Sequence, residues 1–217
     1  MNLKTPWLSL ALVATAVAIG ALPGQGAGLD WQLGAEGWRL LTCQLTHWDA
    51  DHLLWDALAV AILGGWSESR WPEVTRKALL IGLVLIPAVV VVAYPGLAFR
   101  GLSGLACTLA VTGAMGAWRE ARSAHDRLAM GVAGALLAGL VAKTVYELLT
   151  HDAVFAAATT WQPVPLAHLA GAAAGLVAQG PWLSRGYATL FRHALPVEAE
   201  TSTRSATHSH RLRSAMP

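Results

Sequence analysis

Charge is what this sequence has least of. Asp, Glu, Lys and Arg make up 13% of its 217 residues, while 55% are apolar and mean hydropathy is +0.48. A soluble domain carries nearly twice that charge density, so a soluble enzyme or binding module is excluded. The net charge of +2 is too small to recruit nucleic acid, and the cations read better as topology signals. Cysteine is scarce as well. Cys43 and Cys107 build no disulfide framework and match no metal-ligand spacing, so neither a stapled secreted scaffold nor a zinc site is expected. The reading needs no cofactor and no metal.

What is present is a series of membrane-length apolar runs, enough for six spans joined by short loops. They fall at about residues 7–22, 52–65, 78–94, 101–118, 128–149 and 163–183. The fold class is therefore all-α, a polytopic six-helix membrane bundle over residues 1–195, with a disordered cytoplasmic tail over 196–217. The first run follows a single lysine and is short enough to be a signal peptide, but no clean small-x-small cleavage site precedes Gly24, which favours a retained span. Trp31 and Trp38 mark the following segment as a loop lying in the membrane interface, and residues 66–77 read as a basic connection. Pro87 is a tolerable kink in the third span, and Pro163 and Pro165 suit the start of the sixth.

The cations orient the bundle. With the N-terminus inside, the inner segments hold Lys4, Arg70, Arg76, Lys77, Arg119, Arg122, Arg127, Arg185, Arg192, Arg204, Arg211 and Arg213. The outer ones hold only Arg39 and Arg100. Both termini are then cytoplasmic.

In that orientation spans two, four and six descend from the outer face, and the polar residues near their starts come to similar depth. These are His47 and His52, Ser103, and His168. Ser103 sits between Gly101 and Gly104, which permit close backbone approach, and a helix start there offers unpaired N–H groups to a developing negative charge. A nucleophile, a base and two further imidazoles can meet in one cavity under the outer surface, and ionisable groups inside spans are functional candidates by default. Lys143 and Glu147, spaced i,i+4 near the outer end of span five, read either as an ordinary snorkelling helix pair or as part of a substrate gate. His125, His151, His193, His208 and His210 fall in loops or tail, and His208-Ser209-His210 is too isolated to hold a metal.

Three motifs resemble those of the rhomboid family of intramembrane serine proteases. Glu36-Gly37-Trp38-Arg39, followed by His47-Trp48-Asp49-Ala50-Asp51-His52-Leu53-Leu54-Trp55-Asp56, is similar to the family's first outer loop and paired-histidine helix. Gly101-Leu102-Ser103-Gly104 resembles its GxSG nucleophile motif. Ala167-His168-Leu169-Ala170-Gly171, with Gly175 further on, resembles the catalytic-histidine helix, whose glycines pack on the serine helix. The resemblance implies a Ser103–His168 dyad with no third carboxylate, and an oxyanion hole formed by the Ser103 N–H and His52, with His47 shaping the loop or water entry. It places the protein in a bacterial inner membrane with the site open to the periplasm. Its partners are membrane lipid and membrane-protein substrates with a single anchor helix.

Two residues depart from the family pattern. Asp56 stands where most members have an asparagine that donates to the oxyanion; here it either stays protonated or holds His52 as a donor, and the second is favoured. Cys107 stands where many members place an aromatic beneath the histidine. The compact form, short loops and Asp56 look most like the rhombosortase branch, which is associated with substrates ending in Gly-Gly, an apolar helix and a basic tail. The alternative is a catalytically inactive relative that binds or escorts membrane helices. A histidine-lined transporter or haem protein is disfavoured, because the polar groups stop in the outer half.

Overall fold

The computed structural model describes residues 4–157 and 161–180. Seven helices follow one another among them, namely α1 (Trp7–Gly20), a short α2 (Arg39–Thr42), α3 (Ala50–Arg70), α4 (Pro72–Ala93), α5 (Ser103–Ser123), α6 (Arg127–Thr150) and α7 (Pro165–Val177). No strand forms among the described residues; one isolated bridge joins Trp31 to Phe99. The tail from residue 196, the last residues of the expected sixth span, and His193, His208 and His210 lie outside the described residues.

Local chemistry explains where the helices begin. The Asp49 side chain caps α3 by accepting the His52 N–H at 2.8 Å, and Asp126 caps α6 through the Ala129 N–H at 3.0 Å. Prolines open α4 and α7, where a missing N–H costs nothing. The basic connection expected over residues 66–77 is not a loop: helix runs to Arg70, turns at Trp71 alone, and resumes at Pro72. Three of its charges are paired within the fold. Arg70 pairs with Glu120 of α5, to which the Trp71 indole also donates at 3.0 Å. Fully buried Glu68 accepts the Leu8 and Ser9 N–H groups and the Ser9 hydroxyl, and meets Arg76 at 3.2 Å. That carboxylate ties the start of α1 to the end of α3.

The bundle is built around α5. Thirteen of its residues are buried, nearly all of them Gly, Ala, Thr, Val or Leu, and α3, α4, α6 and α7 pack around it. Small residues let two backbones approach closely. A Cβ on Gly171 would overlap the Gly104 carbonyl oxygen, and one on Gly175 would stand 2.8 Å from the Thr108 carbonyl. Thr108 Oγ1 donates across the same contact to the Gly171 carbonyl at 2.9 Å. This seam fixes α7 against α5.

Two helices, α4 and α6, are long and apolar enough to cross a membrane by length and composition. At 22 and 24 residues they measure about 33 and 36 Å, against a hydrocarbon core of about 30 Å. α3 and α5 are nearly as long but carry charges near their ends, while the described parts of α1 and α7 are shorter.

Candidate active site

The N-termini of α3, α5 and α7 open at one end of the bundle, beneath the segments between α1 and α3, α4 and α5, and α6 and α7. Ser103 is the first residue of α5, and Gly101 just before it has φ +116°, a conformation that excludes ordinary side chains. A Cβ there would also stand 2.8 Å from His52 Nε2 and 3.0 Å from Asp56 Oδ2. Glycine is thus required twice over at this corner.

His168 lies on the first turn of α7, held beside the serine by the glycine seam. Its Nε2 is 3.0 Å from Ser103 Oγ, and the imidazole is buried. The opposite ring nitrogen, Nδ1, is 2.9 Å from Oε2 of Glu147 on α6, at ion-pair distance but out of line for a straight N–H···O bond. The absence of a third carboxylate, expected from the sequence, is therefore corrected. Glu147 is the neighbour that sequence reasoning assigned elsewhere. It keeps the expected i,i+4 pair with Lys143, at 2.7 Å through Oε1, and Oε1 also accepts the Val154 N–H at 3.4 Å.

A second cluster lies on the other side of Ser103. Asp56 Oδ2 accepts the Leu102 N–H at 2.7 Å and stands 3.2 Å from His47 Nε2 and 3.3 Å from His52 Nε2. The expected i,i+4 relation of Asp56 to His52 is present, and two contacts are added. His47 belongs to the buried cluster, its ring edge-on to His52 at 5.0 Å. One acidic oxygen thus links the paired histidines to the backbone immediately before the serine.

Several contacts that hold this end together were not anticipated. Trp161 stacks on His52 with ring centroids 4.2 Å apart and donates its indole N–H to Asp49 at 2.8 Å. Burial would raise the Asp49 carboxyl, but the His52 N–H and the Trp161 indole outweigh it and hold that carboxyl below the ordinary range. Asp51 accepts the Ala157 N–H at 2.7 Å. Arg100 pairs with Asp30 at 3.1 Å, donates to the His47 carbonyl at 3.2 Å and lies over the Trp48 ring at 4.5 Å. A tryptophan or arginine in an outer loop gives no sign of which histidine or carbonyl it will meet.

Ser103, His168, His52, Asp56, Lys143 and Glu147 all face one cavity of about 1020 Å³. It extends from this end down the gap between α3 and α6, as far as Ile62 and Ala135. Cys107 contributes to its wall, one turn below the serine; Cys43 is buried in the loop before α3, and both cysteines are free. Gly104, Gly171 and Gly175 lie in the seam behind the cavity. A hydroxyl with an imidazole at hydrogen-bond distance, at the wall of an elongated apolar space, is able to act as a nucleophile with its base.

The rhomboid domain family model matches residues 34–185, and the chain belongs to the rhomboid family. No curated protein matches the sequence. The family consists of integral membrane serine proteases that act on membrane-protein substrates, and the all-helical bundle fits that class.

Proposed function

We propose that the protein is an active intramembrane serine endopeptidase, with Ser103 as nucleophile and His168 as general base. The observation that carries this reading is the 3.0 Å approach of His168 Nε2 to Ser103 Oγ at the wall of a cavity large enough for a peptide segment. In the reaction, Ser103 Oγ bonds to the scissile carbonyl carbon while its proton passes to His168 Nε2. The imidazolium then protonates the departing amine, and water releases the acyl group by the reverse sequence. Imidazole suits both steps because its ring nitrogens can accept a proton and give it back.

The developing oxyanion is received by the Ser103 N–H at the open start of α5 and by His52, which Asp56 holds from below. Removing one such donor costs roughly 3–4 kcal/mol of transition-state stabilisation. The bundle has six spans, α1 and α3 to α7, with both termini in the cytoplasm of a bacterial cell and the site opening to the periplasm. The cation distribution supports that orientation. The apolar gap between α3 and α6 suits a single anchor helix entering sideways from the lipid, with α6 as its gate. A rhombosortase-like substrate, cleaved beside a C-terminal Gly-Gly anchor, is the finer reading, and it rests on the compact form, the short loops and Asp56.

The test is labelling of the detergent-purified protein with a fluorophosphonate serine probe. Wild type labels, and Ser103→Ala and His168→Ala do not. A folded wild type that fails to label even with a small probe would replace the protease by a binding protein that escorts membrane helices.

A further inference from the structure

We propose that Glu147 is a positioning residue for catalysis, completing a Ser103–His168–Glu147 relay that spans three helices. The inference rests on the protease reading above and adds a third member to its machinery. For His168 Nε2 to accept the Ser103 proton, the neutral ring must carry its own hydrogen on Nδ1. Nδ1 is the nitrogen that faces Glu147 Oε2, 2.9 Å away. A carboxylate there selects the tautomer that can act as base, and it stabilises the imidazolium formed when Nε2 takes up the proton.

The surroundings fit that role. The Glu147 side chain is 2% exposed and His168 4%, so the interaction is little screened by solvent. The other carboxylate oxygen is occupied by Lys143 Nζ at 2.7 Å and the Val154 N–H at 3.4 Å, which leaves Oε2 for the imidazole. Lys143 balances the charge of a carboxylate that is otherwise costly in an apolar helix. The unaligned Nδ1···Oε2 contact is ordinary for a resting site, since such bonds tighten only in the reacting complex. Glu147 is on α6, the helix lining the cavity opposite α3, so the same helix forms the entry wall and supports the base.

The experiment compares wild type, Ser103→Ala, Glu147→Gln, Glu147→Asp and Glu147→Ala in fluorophosphonate labelling across probe concentrations. Labelling forms the Oγ–P bond and breaks P–F. The serine proton goes to His168 Nε2 and fluoride leaves, so the base is needed as in peptide cleavage. Glu147→Gln keeps the shape and loses the charge. Its maximal labelling rate falls by up to about 10⁴-fold, the loss that follows when a triad acid is replaced by its amide, while the half-saturating probe concentration and thermal midpoint stay near wild type. Glu147→Asp keeps the charge and retains more rate than Glu147→Gln, and formate restores part of the rate of Glu147→Ala. A merely structural glutamate would reverse that order, because glutamine fits the site better than aspartate. A Glu147→Gln variant labelling at the wild-type rate, or faster than Glu147→Asp, overturns the relay while leaving the Ser103–His168 pair intact. A wild type whose labelling does not depend on Ser103 overturns both.

Discussion

Asp56 is the residue whose chemistry departs furthest from a plain nucleophile-and-base site. Its Oδ2 serves the Leu102 N–H and stands within ion-pair distance of two histidines. The asparagine oxygen of Asp56→Asn can still accept the Leu102 N–H, whereas Asp56→Ala leaves that buried donor unpaired at roughly 1–3 kcal/mol. Fluorophosphonate labelling should therefore remain measurable in Asp56→Asn and fall much further in Asp56→Ala. Equal and complete loss in both, with folding intact, would assign the carboxylate charge itself to catalysis. That Ser103, His168, His52 and Asp56 gather in one place is legible in the sequence because each lies near the start of a helix that begins at the same end of the bundle. Depth along a span can be counted from the loop. Which neighbour a helix face meets cannot, so the spacing of Lys143 and Glu147 shows their pairing but not the approach of Glu147 to His168. Trp161 on His52 was hidden for a related reason, since a loop's sequence does not record what it covers.

At the scale of elements, the α5–α7 seam decides whether the serine and the histidine meet. Gly171→Ala places a Cβ onto the Gly104 carbonyl, a contact only backbone movement can relieve. Overpacking of this kind costs roughly 1–3 kcal/mol, and the α7 shift should also lower labelling of Ser103. Gly131 of α6 is the control. Nothing lies within 4 Å of a Cβ there, so Gly131→Ala should be neutral or stabilise the helix by up to about 1 kcal/mol. Thermal melts in detergent, read beside labelling, separate the two; a Gly171→Ala protein that melts and labels as wild type would show that the seam is slack. Asp49 acts at the mouth of α3. Its carboxyl is held below its ordinary range, so the stability it contributes is present above about pH 4 and is lost as pH falls through the folded value. Asp49→Ala should cost roughly 0.5–2 kcal/mol at neutral pH, a deficit that narrows in acid. The helices themselves were readable from the apolar runs, but their ends were not. Charges at residues 66–77 looked like a loop because a sequence does not show that Glu68 is buried against Ser9, or that Arg70 faces Glu120.

For the whole molecule, orientation is the property on which the rest of the proposal depends, and the native cysteines make it measurable. Cys43 is enclosed in the loop before α3, where burial pushes its thiol up to about 12, and Cys107 is buried inside α5. A membrane-impermeant maleimide reacts with exposed thiolate, so the unmodified chain should give little background. Single cysteines are then introduced at the two ends of α6. Asp152→Cys lies in the exposed segment after it, and Ala124→Cys in the exposed turn before it. His125 and His151 are avoided because both have positive φ, where a new side chain other than glycine or asparagine is strained. Twelve cations on one side of the expected spans against two on the other predict Asp152 outside and Ala124 inside. In intact spheroplasts the reagent should label Asp152→Cys and reach Ala124→Cys only after the membrane is permeabilised. The reverse pattern would turn the bundle over, put Ser103 and His168 on the cytoplasmic side, and rule out any substrate whose cleavage site lies in the periplasm.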